Sequence, residues 1–150
     1  MEEIDVSNDA MKASLQLESL AYEKSVTLDT ELIESCVIQA NEDYLTQIIS
    51  SLLENALKYE PKTGKVLLKL AQDKHKTCIC VQNFGTTIAQ EDLTHVFDRF
   101  YRSDKSRTNE TESFGLGLAI TREMVNKIHG EISVTSNPQK GTIFTITFQR

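Results

Sequence analysis

The run Leu45–Tyr59, L-T-Q-I-I-S-S-L-L-E-N-A-L-K-Y, decides how the rest of the chain is read. Leu45, Ile48, Ile49, Leu52 and Ala56 recur at three- and four-residue spacing, the pattern of an amphipathic helix with a buried stripe. Ser51, Glu54, Asn55 and Lys58 repeat at the same spacing on its other side, so one rigid rod points four polar groups the same way. Such a face either meets water or meets the metal, phosphates and base of a nucleotide, with Tyr59 as the adjoining aromatic. On the helix alone, the solvated face is the simpler reading.

Upstream of this helix, N-E-D at 41–43 is a helix start: Asn41 or Asp43 caps it, and the acidic residues suit its positive end. Ser25–Leu28 and Ser35–Ala40 read as strands. Residues 1–24 carry apolar side chains at Met11, Leu15, Leu17, Leu20 and Ala21. They read as an early helix that either packs on the main body or connects to something upstream.

Downstream, Pro61 stops the helix and P-K-T-G is a turn. Gly64–Ala71 and Thr77–Gln82 form a hairpin around Q-D-K-H-K, and Gly130–Ser136 and Thr142–Gln149 form a second around N-P-Q-K-G. Helices are expected over Gln90–Phe100, with Leu93, Val96, Phe97 and Phe100 on one side, and over Leu116–His129, with Gly130 as its C-terminal stop. The simplest way to bury both periodicities is an α+β two-layer sandwich. A mixed, mostly antiparallel sheet of about five strands is covered on one face by three or four helices. Residues 1–24 form the N-terminal part and 25–150 the main domain. The stretch 102–113 has no apolar residue, which makes about 102–114 a lid-like loop before G-L-G-L.

A chain of 150 residues fits one domain with a sizeable core. The formal charge of -6, from 22 acidic against 16 basic residues, disfavours a nucleic-acid surface. No stretch approaches 18 consecutive apolar residues and no signal-peptide pattern is visible, so no direct membrane contact is expected of this domain. Cys36, Cys78 and Cys80 form no metal-ligand framework and read as buried, reduced thiols, the last two facing the same side of a strand.

Four further motifs follow the organising helix: V-Q-N-F-G-T-T-I at 81–88, F-D-R-F-Y-R at 97–102, G-L-G-L at 115–118 and K-G-T at 140–142. Taken in this order with L-L-E-N-A-L-K-Y, they resemble the ATP-binding catalytic domain of bacterial sensor histidine kinases, over about Asp9 to Arg150. That domain is one branch of the superfamily that also contains type II topoisomerase, heat-shock chaperone and mismatch-repair ATPases.

The resemblance implies a set of roles. Asn55 is the magnesium ligand, and a neutral oxygen suits a metal that completes its octahedron with water and phosphate oxygens. Lys58 contacts phosphate and Tyr59 lies against the nucleotide. Asn83 stands where the family has the aspartate that accepts the exocyclic amine of adenine, Gly85 matches a family glycine, and Thr87 replaces a second one. A neutral acceptor reduces a bond of very roughly 1.5–3 kcal/mol toward about 1 kcal/mol, so Asn83→Asp is expected to strengthen ATP binding.

Phe97 and Phe100 anchor the lid, Arg102 approaches phosphate, and Arg99 and Lys105 are flexible candidates. Ile88, Tyr101, Leu116 and Leu118 are carried over as nucleotide contacts. Gly115 and Gly117 let backbone N–H groups at the positive helix end face the phosphates, and Thr142 lies near the adenine and helps hold a water.

Ser51 stands where hydrolysing relatives have a water-activating glutamate, and Glu54 has the wrong offset for that task. Little ATP hydrolysis is therefore expected of this domain alone. His75, His95 and His129 lack the context of the family's phosphorylated histidine.

The expected function is delivery of the γ-phosphoryl group of ATP, with Mg²⁺, to a histidine on a dimerisation domain outside this chain, with a response regulator as partner through the full-length kinase. The isolated piece is not expected to autophosphorylate. It is expected to be cytoplasmic and monomeric, with a parent protein in the bacterial cell membrane. The alternatives are a nucleotide-insensitive interaction domain of the same fold, a hydrolase like the superfamily's ATPases, and a protein-serine kinase of the anti-sigma type.

Overall fold

The computed structural model describes residues 1–98 and 112–150, with 112–117 described as backbone only. The organising helix, α3 in chain order, runs Glu42–Tyr59; the Asn41 side chain accepts the N–H of Tyr44 at 3.1 Å, and Glu42 and Asp43 occupy the first turn. Leu45, Ile48, Ile49, Leu52, Leu53, Ala56 and Leu57 are its buried side. It stops because Pro61 holds the preceding residue, Glu60, extended at φ -72° and ψ 132°.

The N-terminal part differs from the single helix expected there. It consists of β1 (Glu2–Asp5), α1 (Val6–Gln16) and α2 (Glu18–Lys24). Asp5 caps α1 through the Ser7 N–H at 3.0 Å, which converts the short E-E-I-D strand directly into a helix. β1 pairs antiparallel with β3 (Val37–Ala40) in a two-stranded sheet of its own. Ile4, Val6, Ala10, Ala13 and Ala21 join the same core as α3, so residues 1–24 pack on the main body.

The main sheet contains β2 (Thr27–Leu32), β4 (Lys65–Gln72), β5 (Lys76–Asn83), β6 (Glu131–Asn137) and β7 (Gly141–Gln149), in the order β2-β4-β5-β7-β6. The β2–β4 pair is parallel and the other three are antiparallel, which gives the mixed, mostly antiparallel sheet expected. Period-two alternation buries Val66, Leu68, Leu70, Ile79, Val81, Phe144, Ile146 and Phe148 on one face, where α3 lies. Cys36 is buried, and that burial pushes its thiol pKa up. Cys78 and Cys80 share a side as expected, but it is the other face of the sheet. They are half-buried, beside the hydroxyls of Thr147 and Thr145 at 4.0 and 3.7 Å.

Two helices end differently from expectation. The segment starting at Gln90 is helical only over Gln90–Leu93, here α4, and continues as turns to residue 98. The long C-terminal helix α5 spans Glu112–Lys127, starting four residues before Leu116. It packs against α3. Its terminating left-handed residue is His129, at φ 64°, rather than Gly130. A Cβ on Gly130 would lie 2.8 Å from the Phe148 ring, so the glycine serves close packing. No helix among the described residues is long and apolar enough to cross a membrane.

Candidate functional site

The C-terminal turns of α3, the loop after β5 and the paired ends of β6 and β7 meet in one hydrogen-bonded cluster. Asn83, the last residue of β5, is 4 % exposed, and its Nδ2 donates to the Ala56 carbonyl at 2.6 Å. A carbonyl only accepts, so this contact fixes which end of the amide is which and leaves Oδ1 as the atom that can accept from a ligand. Ala56 follows Asn55, which is half-buried on the same helix. Lys58 is exposed, with Nζ 5.6 Å from the centroid of the half-buried Tyr59 ring. Ser51 accepts from Gln47 Nε2 at 3.0 Å, a local contact along the helix.

Residues 84–88 are pinned to their surroundings at several places. The Gly85 N–H donates to the Glu60 carboxylate at 2.9 Å, and the Thr86 hydroxyl to the Tyr59 carbonyl at 2.9 Å. The Thr86 carbonyl accepts from Thr142 Oγ1 at 2.8 Å, and the Ile88 N–H reaches Ser136 Oγ at 2.8 Å. Ser136 and Thr142 also touch each other, Oγ to Oγ1, at 2.9 Å. Because the Thr142 hydrogen goes to a carbonyl, Ser136 is the donor between them. The hydroxyls therefore run one way, from the Ile88 N–H through Ser136 and Thr142 to the Thr86 carbonyl. Gly141 carries φ 72°, and a Cβ there would strike the Asn83 carbonyl, so only glycine lets β7 enter beside β5 at this point.

The structure thus gathers Asn55, Lys58, Tyr59, Asn83, Gly85, Thr87, Ile88 and Thr142 around one helix end and one loop. Thr87 is exposed and Ile88 packs against the core. Phe97 stands edge-on to Phe144, centroids 6.1 Å apart, with the Arg122 guanidinium carbon 5.8 Å from its ring centre. Arg99, Phe100, Tyr101, Arg102, Lys105 and the lid to residue 111 lie outside the described residues. Gly115, Leu116 and Gly117 fall in the second turn of α5 rather than ahead of it, because the helix begins at Glu112. The free N–H groups of a helix are those of its N-cap and first three residues, so neither Gly115, the fourth residue of α5, nor Gly117 is among them. Leu118 is 2 % exposed and its side chain belongs to the core.

Three contributors have no counterpart in the sequence reading: Glu60, Thr86 and Ser136. The only signal for Glu60 is a carboxylate between a helix end and a proline, a pattern that solvated glutamates share.

A second polar feature lies away from this cluster, between α1 and α3. Asp9 is 3 % exposed, and one of its carboxylate oxygens has no hydrogen-bond partner among the described residues. Burial and the neighbouring Glu42 charge raise its pKa to about 6. Glu54 lines the same cleft with Asp9, Lys12 and Glu42. The glutamate beside Asn55 thus belongs to a different surface.

Comparison with known proteins agrees with this architecture. Residues 40–150 match the family described as Histidine kinase-, DNA gyrase B-, and HSP90-like ATPase. Sensor histidine kinase YkoH of Bacillus subtilis is 32% identical over 139 residues, covering 93% of this chain and 30% of YkoH. Sensor histidine kinase WalK of the same organism is 39% identical over 112 residues, 73% of this chain and 18% of WalK. The chain thus spans less than a third of the length of these relatives. Among solved structures, the mycobacterial sensor histidine kinase MprB superposes with a TM-score of 0.83 at 24% identity, covering 99% of this chain and 97% of that one. Histidine kinase ThkA, solved in complex with response regulator protein TrrA, gives a TM-score of 0.82 at 20% identity over 99% of this chain and 41% of ThkA. The mixed sheet agrees with these matches, and the chain belongs to the histidine kinase-, DNA gyrase B- and HSP90-like ATPase family, as a domain of its bacterial sensor histidine kinase branch.

Proposed function

We propose that this domain binds ATP with Mg²⁺ at the cluster around the end of α3 and delivers the γ-phosphoryl group to a histidine on a separate dimerisation domain. The observation that carries the reading is the Asn83 amide. Its nitrogen is held by the Ala56 carbonyl, so its oxygen is the end left to accept the exocyclic amine of adenine. Thr142 is the cross-strand neighbour of Asn83, and the Thr86 hydroxyl ties the loop between Asn83 and Ile88 to the Tyr59 carbonyl.

Asn55 and Lys58, one turn along the same helix, supply a neutral oxygen for the metal and an ammonium for phosphate. Among the described residues no group of three or more His, Cys, Asp or Glu is placed to hold a metal ion. A magnesium held by Asn55 would take phosphate oxygens and water for its remaining positions, as the small, strongly hydrated ion prefers. When bound, the ion neutralises charge on the transferring phosphoryl group. The start of α5 and the residues Tyr101, Arg102, Gly115, Leu116 and Gly117 are assigned to the phosphate side. Ser51 offers no general base, which suits a transferase that keeps water from attacking. The acceptor histidine attacks in line from its own domain, and a response regulator then takes the phosphoryl group from the full-length kinase. The parent protein is proposed to reside in the bacterial membrane with this domain on the cytoplasmic side.

Calorimetric titration with ATP and GTP in the presence of Mg²⁺, alongside Asn55→Ala, tests this. The expected result is micromolar to high-micromolar ATP binding, weaker GTP binding, and loss of the Mg²⁺-dependent part of the affinity in Asn55→Ala, about tenfold. No ATP binding at millimolar ligand by the folded protein would replace the reading with an interaction domain. Sustained phosphate release by the domain alone would replace it with a hydrolase.

A further inference from the structure

Glu60 is the first residue past α3 and only 6 % exposed. Its carboxylate accepts the Gly85 N–H at 2.9 Å on Oε2 and 3.2 Å on Oε1, and the Lys65 N–H at 3.2 Å. The Thr86 hydroxyl lies 3.4 Å away, with its main bond on the Tyr59 carbonyl at 2.9 Å. Among the described residues no basic side chain forms an ion pair with this buried carboxylate; backbone amides meet its charge. The surroundings are cleared for it. A Cβ on Gly64 would collide with Glu60 Oε2, and one on Gly85 would come within 2.9 Å of the same atom. Pro61 holds the Glu60 backbone extended, which turns the side chain back under the loop rather than along the helix.

We infer that Glu60 is a positioning residue of the nucleotide site: its carboxylate fastens the loop after Asn83 to the end of α3. It thereby sets the distance between the adenine-reading amide of Asn83 and the metal and phosphate groups of Asn55 and Lys58. This rests on the reading of the cluster as an ATP site. Bonds from amides to a charged carboxylate are roughly twice as strong as neutral ones, so a neutral side chain of the same shape loosens the loop without leaving a hole. The amide introduced by Glu60→Gln also turns an N–H₂ group toward a backbone N–H, because the groups it faces there are donors. The base end of the site loses its register while the α3 end keeps Asn55 in place.

The test compares the wild-type chain with Glu60→Gln by calorimetry, with ATP in Mg²⁺ and again in excess chelator. The expected result is ATP affinity lower by about tenfold in both conditions, with the ratio between them within about twofold of wild type. A general weakening of α3 would instead erode the Mg²⁺ ratio, since Asn55 is on that helix. Should Glu60→Gln fail to fold, Gly64→Ala displaces the same carboxylate from a position outside the site, and the same split is expected. Unchanged ATP affinity in a folded variant, or a collapse of the Mg²⁺ ratio, overturns the assignment. No ATP binding by the wild-type chain would remove the nucleotide-site reading itself, and the positioning role with it.

Discussion

Replacing Asn83 by aspartate exchanges an amide for a carboxyl where the amide nitrogen donates to the Ala56 carbonyl at 2.6 Å. On sequence alone this change is expected only to tighten ATP binding, because a charged oxygen accepts the adenine amine more strongly. The structure adds a cost. An ionised carboxylate has no hydrogen to give Ala56 and sets oxygen against oxygen at a residue 4 % exposed. The Ala56 carbonyl stays satisfied by the Glu60 N–H at 3.0 Å, so the loss falls on the carboxylate and its burial.

A lost hydrogen bond plus an under-solvated buried acceptor amounts to about 2–3 kcal/mol. For a chain of 150 residues that lowers the melting temperature by about 5–10 °C near pH 8. A protonated carboxyl regains a donor, so the folded state raises the pKa of this group above its unfolded value of about 3.9. The stability is therefore recovered as pH falls toward about 4 and lost as pH rises through the folded pKa. Thermal melts of wild type and Asn83→Asp at about pH 4.5 and about pH 8 measure the gap at each pH. Equal melting temperatures at about pH 8 would show that the Asn83 nitrogen is not tied to Ala56.

Asp9 provides a test of opposite sign away from the site. With its pKa raised to about 6 by burial and by Glu42, the folded state holds a proton that the unfolded chain releases near 3.8, so stability falls as pH rises between those values. Asp9→Asn is expected to raise stability near pH 7 by about 1–3 kcal/mol and to flatten that slope, read by denaturant unfolding across the range; an unchanged slope would place the titration elsewhere. Gly141→Ala imposes both a left-handed conformation and a Cβ against the Asn83 carbonyl. A loss of about 2–4 kcal/mol is expected in the same assay, and a loss below about 1 kcal/mol would contradict the tight approach of β7 to β5.

The helix that carries Asn55 and Lys58 was legible because its apolar period is strong and Asn41 and Pro61 mark its ends. The antiparallel hairpins were legible because β4, β5 and β7 alternate against a single buried face. Residues 1–24 were harder. A four-residue strand leaves almost no period, and its pairing with β3 depends on contacts more than thirty residues apart in sequence. The faces of Cys78 and Cys80 were readable as shared but not as inner or outer, since alternation gives parity and not direction. In the candidate site, Asn83 was singled out by its motif, yet the orientation of its amide depends on the Ala56 carbonyl, and backbone carbonyls have no sequence signal. Glu60 was hidden for the same reason, because its partners are N–H groups that every residue but proline carries.

The one-way run of hydroxyls has a consequence for the choice of purine. Asn83, Thr142 and Ser136 stand in one cross-strand row over β5, β7 and β6. The Ser136 and Thr142 hydrogens are already engaged inside the protein, and Asn83 has turned a donor toward Ala56. What the two hydroxyls and the amide oxygen retain is lone pairs. Such a row has a single chemical sense: a water bound there must direct its hydrogens into it, and an amino edge is matched where an oxo edge meets like with like. Under the proposed ATP reading, an amine on the six-membered ring edge separates adenine from guanine at that position, so a preference for adenine would be shared by three neighbouring residues instead of residing in Asn83 alone.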